Sequence, residues 1–385
     1  MDKRKNEKTG LRGLLMLDRV YFDYPALFLI IFLVFFGLMM VYSASSFVAY
    51  RDFGSGTFFL RKQAAYALIG FVFLIMLSFY KYQGYKKFTE LFLIVQGLLL
   101  ILVFIIGSTK NGSSRWLKLG PISFQPSELA KIVVILYMAR ICSAKPKEFQ
   151  TLKGTIKSLF PVLILVGLIA VENLSTAIIC AAIIGVVWVV AVPNFWRYLV
   201  PLVVIAGIAG TILVFAQPYR LKRFEVWLHP EKVDEGYQTL QGLYAIGSGG
   251  LFGRGLGQSI QKMGFIPEAQ NDMIFSIICE EIGIVGAAGV IIVFLMLIWR
   301  LRFIAEGAPD KYGALIVVGA IAHIASQAIV NMCVVTNLIP NTGVTLPFIS
   351  YGGSSIIFTL AEMGIVLSVS RQIVPISELE KEAAE

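Results

Sequence analysis

Ten stretches of apolar residues, each long enough to cross a hydrocarbon layer, restrict this chain to one class of fold. They fall at 25–47, 61–80, 88–107, 127–144, 156–172, 174–193, 197–216, 272–300, 312–335 and 347–371. The expected fold is therefore an all-α polytopic membrane protein of about ten transmembrane helices. Composition supports this: of 385 residues, 57% are apolar and only 15% charged, which is too apolar for a soluble domain. Only Glu172 and Asn173 separate the fifth run from the sixth, which fits either a tight hairpin or a polar break in one long apolar region. The first run is too long for a signal-peptide core and many more follow, so it reads as a retained helix.

The basic residues orient the chain. Residues 1–24 carry Lys3, Arg4, Lys5, Lys8, Arg12 and Arg19, and Lys and Arg stay concentrated in the segments on the same side of an alternating topology. The positive-inside rule then places both termini inside. This gives a cytoplasmic N-terminal segment 1–24, a transmembrane domain 25–371 and a cytoplasmic tail 372–385. A large extracellular loop, 217–271, joins helices 7 and 8. The net charge of +9 lacks a basic stripe with interleaved aromatics, so nucleic acid is not an expected partner. Cys142, Cys180, Cys279 and Cys333 lie far apart in apolar stretches, and His229 and His323 stand alone. They read as packing residues, and no metal site is expected.

Three polar stretches interrupt the apolar pattern. In GFIPEAQNDMIFSIICEEIG, residues 264–283, Asp272 sits at a helix mouth, and Glu280 and Glu281 follow within the apolar run. Ionisable groups at membrane depth point to function, whereas an Asp just before a helix also serves as an N-cap. Both readings stand on the residues alone. On a straight helix the glutamates lie about 12–13 Å deeper than Asp272, so they cannot act on the same atoms. They read instead as structural partners for basic groups on other helices. In NGSSRWLKLGPISFQPSELAK, residues 111–131, Pro126 suits a first helical turn and Glu128 shares a face with Lys131. That pair reads as a structural ion pair, or as part of a cavity. Arg115 and Lys118 flank Trp116, an interfacial anchor or a clamp for a phosphorylated headgroup. In NLIPNTGVTLPFISYGGSS, residues 337–355, Pro347 and Gly352–Gly353 break the run beside Ser350, Tyr351 and Ser354. Such a break lines a cavity, or packs helices through small residues.

The 217–271 loop opens with YRLKRFEVWLHPEKVDEGYQ, whose Phe224, Trp227 and Leu228 among Arg and Lys suit a segment lying at the membrane interface. GSGGLFGRGLG follows. It has no strand–helix context and no GK[ST], so it reads as a re-entrant turn or a close backbone approach rather than a nucleotide loop.

Taken in order, RWLKLGPISFQPSELAK, YQTLQGLYAIGSGGLFGRGLGQSIQK, FIPEAQNDMIFSIICEEIG and TGVTLPFISYGGSS resemble the SEDS family (shape, elongation, division and sporulation) of bacterial membrane proteins. The resemblance implies a peptidoglycan glycosyltransferase that polymerises lipid II on the outer face of the cytoplasmic membrane. It also implies a class B penicillin-binding protein as transpeptidase partner, alongside other division or elongation proteins and membrane lipid. The family's essential aspartate corresponds to Asp272, and its PSE-x-x-K acid and lysine to Glu128 and Lys131. The usual His-Thr before the aspartate is Gln270–Asn271 here, and the usual PDLGTA reads Glu172-Asn173-Leu174-Ser175-Thr176-Ala177. Gly343-Val344-Thr345-Leu346-Pro347 looks more like the division-type branch or its sporulation relative.

The implied chemistry makes Asp272 the catalytic base of an inverting β-1,4 transfer with undecaprenyl diphosphate as leaving group. Arg115, Lys118, Arg220, Arg223 and Lys262 are candidates for the diphosphate, and Glu268, Ser350, Tyr351 and Ser354 for other substrate contacts. The residues specify no cofactor; a divalent cation (Mg or Mn), where one takes part, is held jointly with the diphosphate. The rival readings are a lipid II flippase, which needs a polar path through both leaflets, and a non-catalytic division scaffold.

Overall fold

The computed structural model describes residues 22–373, apart from 111–112, 120–121 and most positions between 194 and 217. The basic segment 1–21, the tail beyond 373 and most of the seventh expected span lie outside the described residues.

Helix α1 spans Tyr24–Phe53. Asp23 caps its start, accepting the Ala26 N–H at 3.0 Å, and left-handed Gly54 ends it. Helix α2 (Phe58–Phe79) and helix α3 (Tyr85–Ile106) follow. A small antiparallel meander comes next: β1 (Ser108–Lys110), β2 (Ser113–Leu119) and β3 (Ile122–Phe124). The all-α fold is as expected, and this one small sheet is an addition to it, set where a chain leaving α3 must turn back into the bundle. Helices α4 (Pro126–Ala144), α5 (Leu152–Glu172) and α6 (Leu174–Ala191) complete the first half. The ambiguity at Glu172–Asn173 resolves into two helices packed on each other, because the Asn173 side chain accepts the Thr176 N–H and starts α6 afresh.

The stretch expected as a large loop holds two further helices, α7 (Pro218–Leu228), where an amphipathic segment was expected, and α8 (Tyr237–Gly249). Then come α9 (Ile274–Glu306), α10 (Lys311–Val335) and α11 (Gly353–Ser370). Eight of these helices, α1–α3, α5, α6 and α9–α11, are long and apolar enough to cross a membrane. The fourth expected span is α4, which does not reach that apolarity because it carries Glu128, Lys131 and Arg140. Protein rather than lipid surrounds it: α3, α6 and α10 pack against it and nearly all its residues are buried.

Two close crossings hold the bundle together. Helices α2 and α11 meet through Gly70 and Gly364, and a Cβ on Gly364 would lie 2.6 Å from the Leu74 carbonyl oxygen. Helices α1 and α9 run antiparallel, pinned at one end by Arg300 on Asp23 (Nε to Oδ1, 2.9 Å) and at the other by Ser43 on Glu281.

On α4 the Lys131 ammonium is 2% exposed and lies 3.0 Å from Glu128 and 2.9 Å from the Gln327 side-chain oxygen. Removing one member of a buried pair strands the other charge at a cost of about 3–5 kcal/mol. Lys131→Met is expected to lose about that much stability, read as the thermal midpoint in detergent. The double variant Glu128→Gln/Lys131→Met is expected to recover most of it. Equal midpoints for the single and double variants would rule out the ion pair as the cause.

Candidate active site

The site is built where the chain between α8 and α9 folds back on α9. Helix α8 runs alongside α9 in the same direction, with Gly242 against Met273 and Ser276 and Gly249 against Cys279 and Glu280. A Cβ on Gly249 would lie 2.0 Å from the Cys279 carbonyl oxygen, so only glycine permits this approach. The glycine-rich segment then docks into a break in α9 at Gly283, whose φ of 69° and ψ of −172° are not helical.

The hydrogen bonds there are exchanged one for one. In an unbroken helix the N–H groups of Ile284 and Val285 would bond the carbonyls of Glu280 and Glu281. Here Ile284 and Val285 donate to Gly250 and Leu251 at 3.0 and 3.1 Å. Arg254 and Gly255 in turn donate to Glu280 and Glu281, each at 2.9 Å. The loop is spliced into the helix, and the two N–H groups and two carbonyls freed by the break are all paired.

Both glutamate side chains secure this splice. Glu281 accepts from Lys262 Nζ (2.8 Å), the Ser43 hydroxyl (2.6 Å) and the Gly257 N–H (3.0 Å). Glu280 accepts from the Ser259 hydroxyl and the Ile260 N–H, with Arg254 at 3.8 Å. Their cationic partners come from the re-entrant loop rather than from other helices, which corrects the expectation drawn from sequence. Lys262 is buried in that contact, so its ammonium is committed to Glu281.

The loop returns to Asp272, which precedes the first residue of α9 and so lies just outside that span. Its side chain is partly exposed. Burial pushes the carboxyl up to about 6, and the neighbouring Glu268 charge adds to the rise. Backbone N–H groups of Asp272 and Met273 and the Arg223 guanidinium of α7 oppose it. Opposite the acid, Gly343 (φ 68°) leaves a hollow: a Cβ there would lie 4.0 Å from Asp272 Oδ2.

The far wall is the segment between α10 and α11. Arg223 donates to the Asn341 carbonyl at 3.1 Å and the Trp227 indole N–H to the Asn337 carbonyl at 3.0 Å, which ties α7 across the site. Ser350 spends its hydroxyl within its own turn, accepting the Leu346 N–H at 2.7 Å. Tyr351 donates its N–H to the Gln270 carbonyl and packs edge-on against Phe59. Ser354 is buried on the first turn of α11. Glu268, left-handed at φ 50°, accepts from the Asn271 amide at 2.6 Å. Arg115 and Lys118 lie on β2 and Arg220 on α7, with side chains outside the described part.

Sequence reading passed over a line of polar residues on α10. His323, Gln327 and Asn331 are four apart, one face of an otherwise apolar helix, and all three are buried. Gln327 donates to the Thr345 carbonyl (3.0 Å), while its oxygen meets Lys131 and His323; His323 in turn contacts Glu362 of α11 at 2.7 Å. That four-residue spacing of polar side chains was the available signal. Among the described residues, no three His, Cys, Asp or Glu side chains converge as a metal site.

Fold and site together define a multi-pass membrane protein with a group of polar residues around a single acid at the mouth of one spanning helix. Residues 25–374 match the family model for cell cycle proteins of the FtsW/RodA/SpoVE type. The chain is 37% identical over 361 residues to a probable peptidoglycan glycosyltransferase FtsW of a Geobacter species, covering 91% of this chain and 97% of that one. It is 39% identical over 342 residues to stage V sporulation protein E of Bacillus subtilis, covering 87% and 93%. Among solved structures, it superposes on a chain of a peptidoglycan synthase complex that coordinates polymerization and crosslinking (TM-score 0.76, 28% identity, covering 91% and 98%). It also superposes on the rod shape determining protein RodA of Thermus thermophilus (TM-score 0.67, 28% identity, covering 92% and 98%). The chain belongs to the SEDS family, with FtsW, RodA and SpoVE.

Proposed function

We propose that this SEDS-family peptidoglycan glycosyltransferase polymerises lipid II into β-1,4 glycan at the outer face of the bacterial cytoplasmic membrane, with Asp272 as general base. The observation that carries this reading is the setting of Asp272: an acid at a helix mouth, raised to about 6, facing both a guanidinium and an open glycine hollow. A base poised near neutrality accepts a proton readily and is still largely ionised at pH 7. The carboxylate takes the proton of the acceptor's 4-hydroxyl as that oxygen bonds to the donor's anomeric carbon. The bond from that carbon to the diphosphate breaks on the opposite face, and undecaprenyl diphosphate leaves with the electron pair. The configuration inverts. Arg223 is placed to meet negative charge near the acid, with Arg220 on the same helix and Arg115 and Lys118 on β2 as further candidates. Asp272 and Glu268 alone are too few ligands for a divalent cation, which would need diphosphate oxygens to complete its shell.

With both termini inside, the 217–271 stretch and the Asp272 end of the bundle face outward, where lipid II is presented. The likeness to a chain of a complex that coordinates polymerization and crosslinking supports a crosslinking partner, for which the family resemblance implies a class B penicillin-binding protein. The deciding assay is polymerisation of purified lipid II by wild type and Asp272→Asn, with and without that partner. Full glycan synthesis by the folded variant rules out the base.

The buried line from Asn331 to His323, reaching toward mid-helix, favours a second reading as a lipid II flippase. Headgroup translocation in protein-only liposomes, unchanged by Asp272→Ala, would support that reading over the first.

A further inference from the structure

We propose that Asn331 is a positioning residue that holds Asp272 at a fixed distance from the Val344 segment opposite, through a single buried amide. The inference rests on Asp272 being the base. The Asn331 amide nitrogen donates to the Asp272 carbonyl and to the Val344 carbonyl, each at 2.7 Å. The side chain is 0% exposed. Both partners are carbonyl oxygens, so the NH₂ group must point at them and the amide has only one workable orientation. The two segments it joins face each other at Asp272 and Gly343. One ends in the acid, and the other carries Gly343, whose absent side chain keeps the space in front of Asp272 Oδ2 open.

A second amide sets the height of this clamp. One turn along α10, Gln327 donates to the Thr345 carbonyl, and its oxygen is taken by Lys131 and His323. Lys131 can only donate, which orients the Gln327 amide and aims its NH₂ at Thr345. Two successive residues of the far wall, Val344 and Thr345, are thus fixed by two rungs of one helix. Asn331 is the rung that also reaches the acid. Backbone anchoring of this kind matters because a displacement of about 1 Å can cost a catalytic group 10²-fold.

The charged groups facing the Asp272 carboxyl are Glu268 on its own loop and Arg223 on α7, while the α10 rung beside it is neutral. Loosening the clamp admits water to the carboxyl without changing that set of charges. The test is Asn331→Leu, similar in size and without donors, assayed in the full chain with lipid II across pH 4.5–8. The expected result is a kcat at least about ten-fold lower, KM within two-fold of wild type, and an acid limb moved below its wild-type midpoint. A merely structural role would lower the yield of folded protein while leaving kcat per folded molecule and the midpoint unchanged, and that result overturns the proposal. Should Asn331→Leu fail to fold, Asn331→Ser decides by the same two readouts. It keeps one hydroxyl donor and is expected to lower kcat and the midpoint in the same directions by less than the ten-fold loss expected of leucine; wild-type kcat and midpoint overturn the proposal here too. The two readings separate cleanly. An active Asp272→Asn removes the base itself, whereas an inactive Asp272→Asn beside a fully active Asn331→Leu removes only the positioning role.

Discussion

Asp272→Asn is expected to lower lipid II polymerisation by about 10²–10⁴-fold, the usual contribution of a positioned general base. The amide keeps the size of the side chain and cannot take the proton. The wild-type pH profile should carry the same signature. The base works ionised, and burial raises its carboxyl to about 6, so kcat/KM falls as pH drops through about 6 and levels off above it. Stability should move the other way. An acid whose folded value lies above its unfolded value of 3.8 binds its proton more tightly in the fold, so the fold loses stability as pH rises through that interval. At pH 7 the ionised group costs on the order of 2–3 kcal/mol, which the neutral amide removes. An inactive Asp272→Asn protein with a raised thermal midpoint at pH 7 separates lost chemistry from lost fold. An inactive variant with a lowered midpoint would contradict this account of the acid.

The second large effect belongs to the splice in α9. Gly283→Ala would place a Cβ 2.4 Å from the Gly253 nitrogen and from the Leu251 carbonyl oxygen, at a φ/ψ that other residues hardly reach. Neither contact is with a flexible side chain, so the loop must leave the break. The expected cost is about 3 kcal/mol or more, with polymerisation lost because the same loop delivers Asp272. Gly289→Ala, two turns on in the same helix, meets nothing within 4 Å and is expected to be neutral or slightly stabilising. Thermal midpoints and polymerisation rates of the two variants, measured side by side, check this. Equal behaviour would show that the break is not essential.

Much of the fold was legible because burial in lipid forces long apolar runs, and the eight spanning helices are such runs. Helix α4 departs from the spanning pattern for a physical reason: a helix enclosed by α3, α6 and α10 can carry Lys131 and Glu128. The meander of β1–β3 is too short to stand out in a sequence read for spans. Helix α7 was legible as an amphipathic segment, because Phe224, Trp227 and Leu228 recur among Arg and Lys at helical spacing. At the site, Asp272 stood out as an acid at the edge of an apolar run. Asn331 and Gln327 did not, since an amide on an apolar helix has no meaning until its partners are known. Those partners, Asp272, Val344, Thr345 and Lys131, lie on three other parts of the chain.

The spliced break also bears on how the protein enters the membrane. A helix starting at Ile274 carries Glu280 and Glu281 roughly 9–11 Å from its end, and a bare carboxylate in that setting costs about 2.5–3.5 kcal/mol or more. Lys262, Ser259 and the loop N–H groups that neutralise this cost precede α9 in the chain, and Ser43 was made long before. They are therefore already synthesised when α9 emerges from the ribosome. The re-entrant loop can accompany the helix through insertion as its local counter-charge, so that α8, the glycine-rich turn and α9 enter as one unit in which the two helices lie parallel.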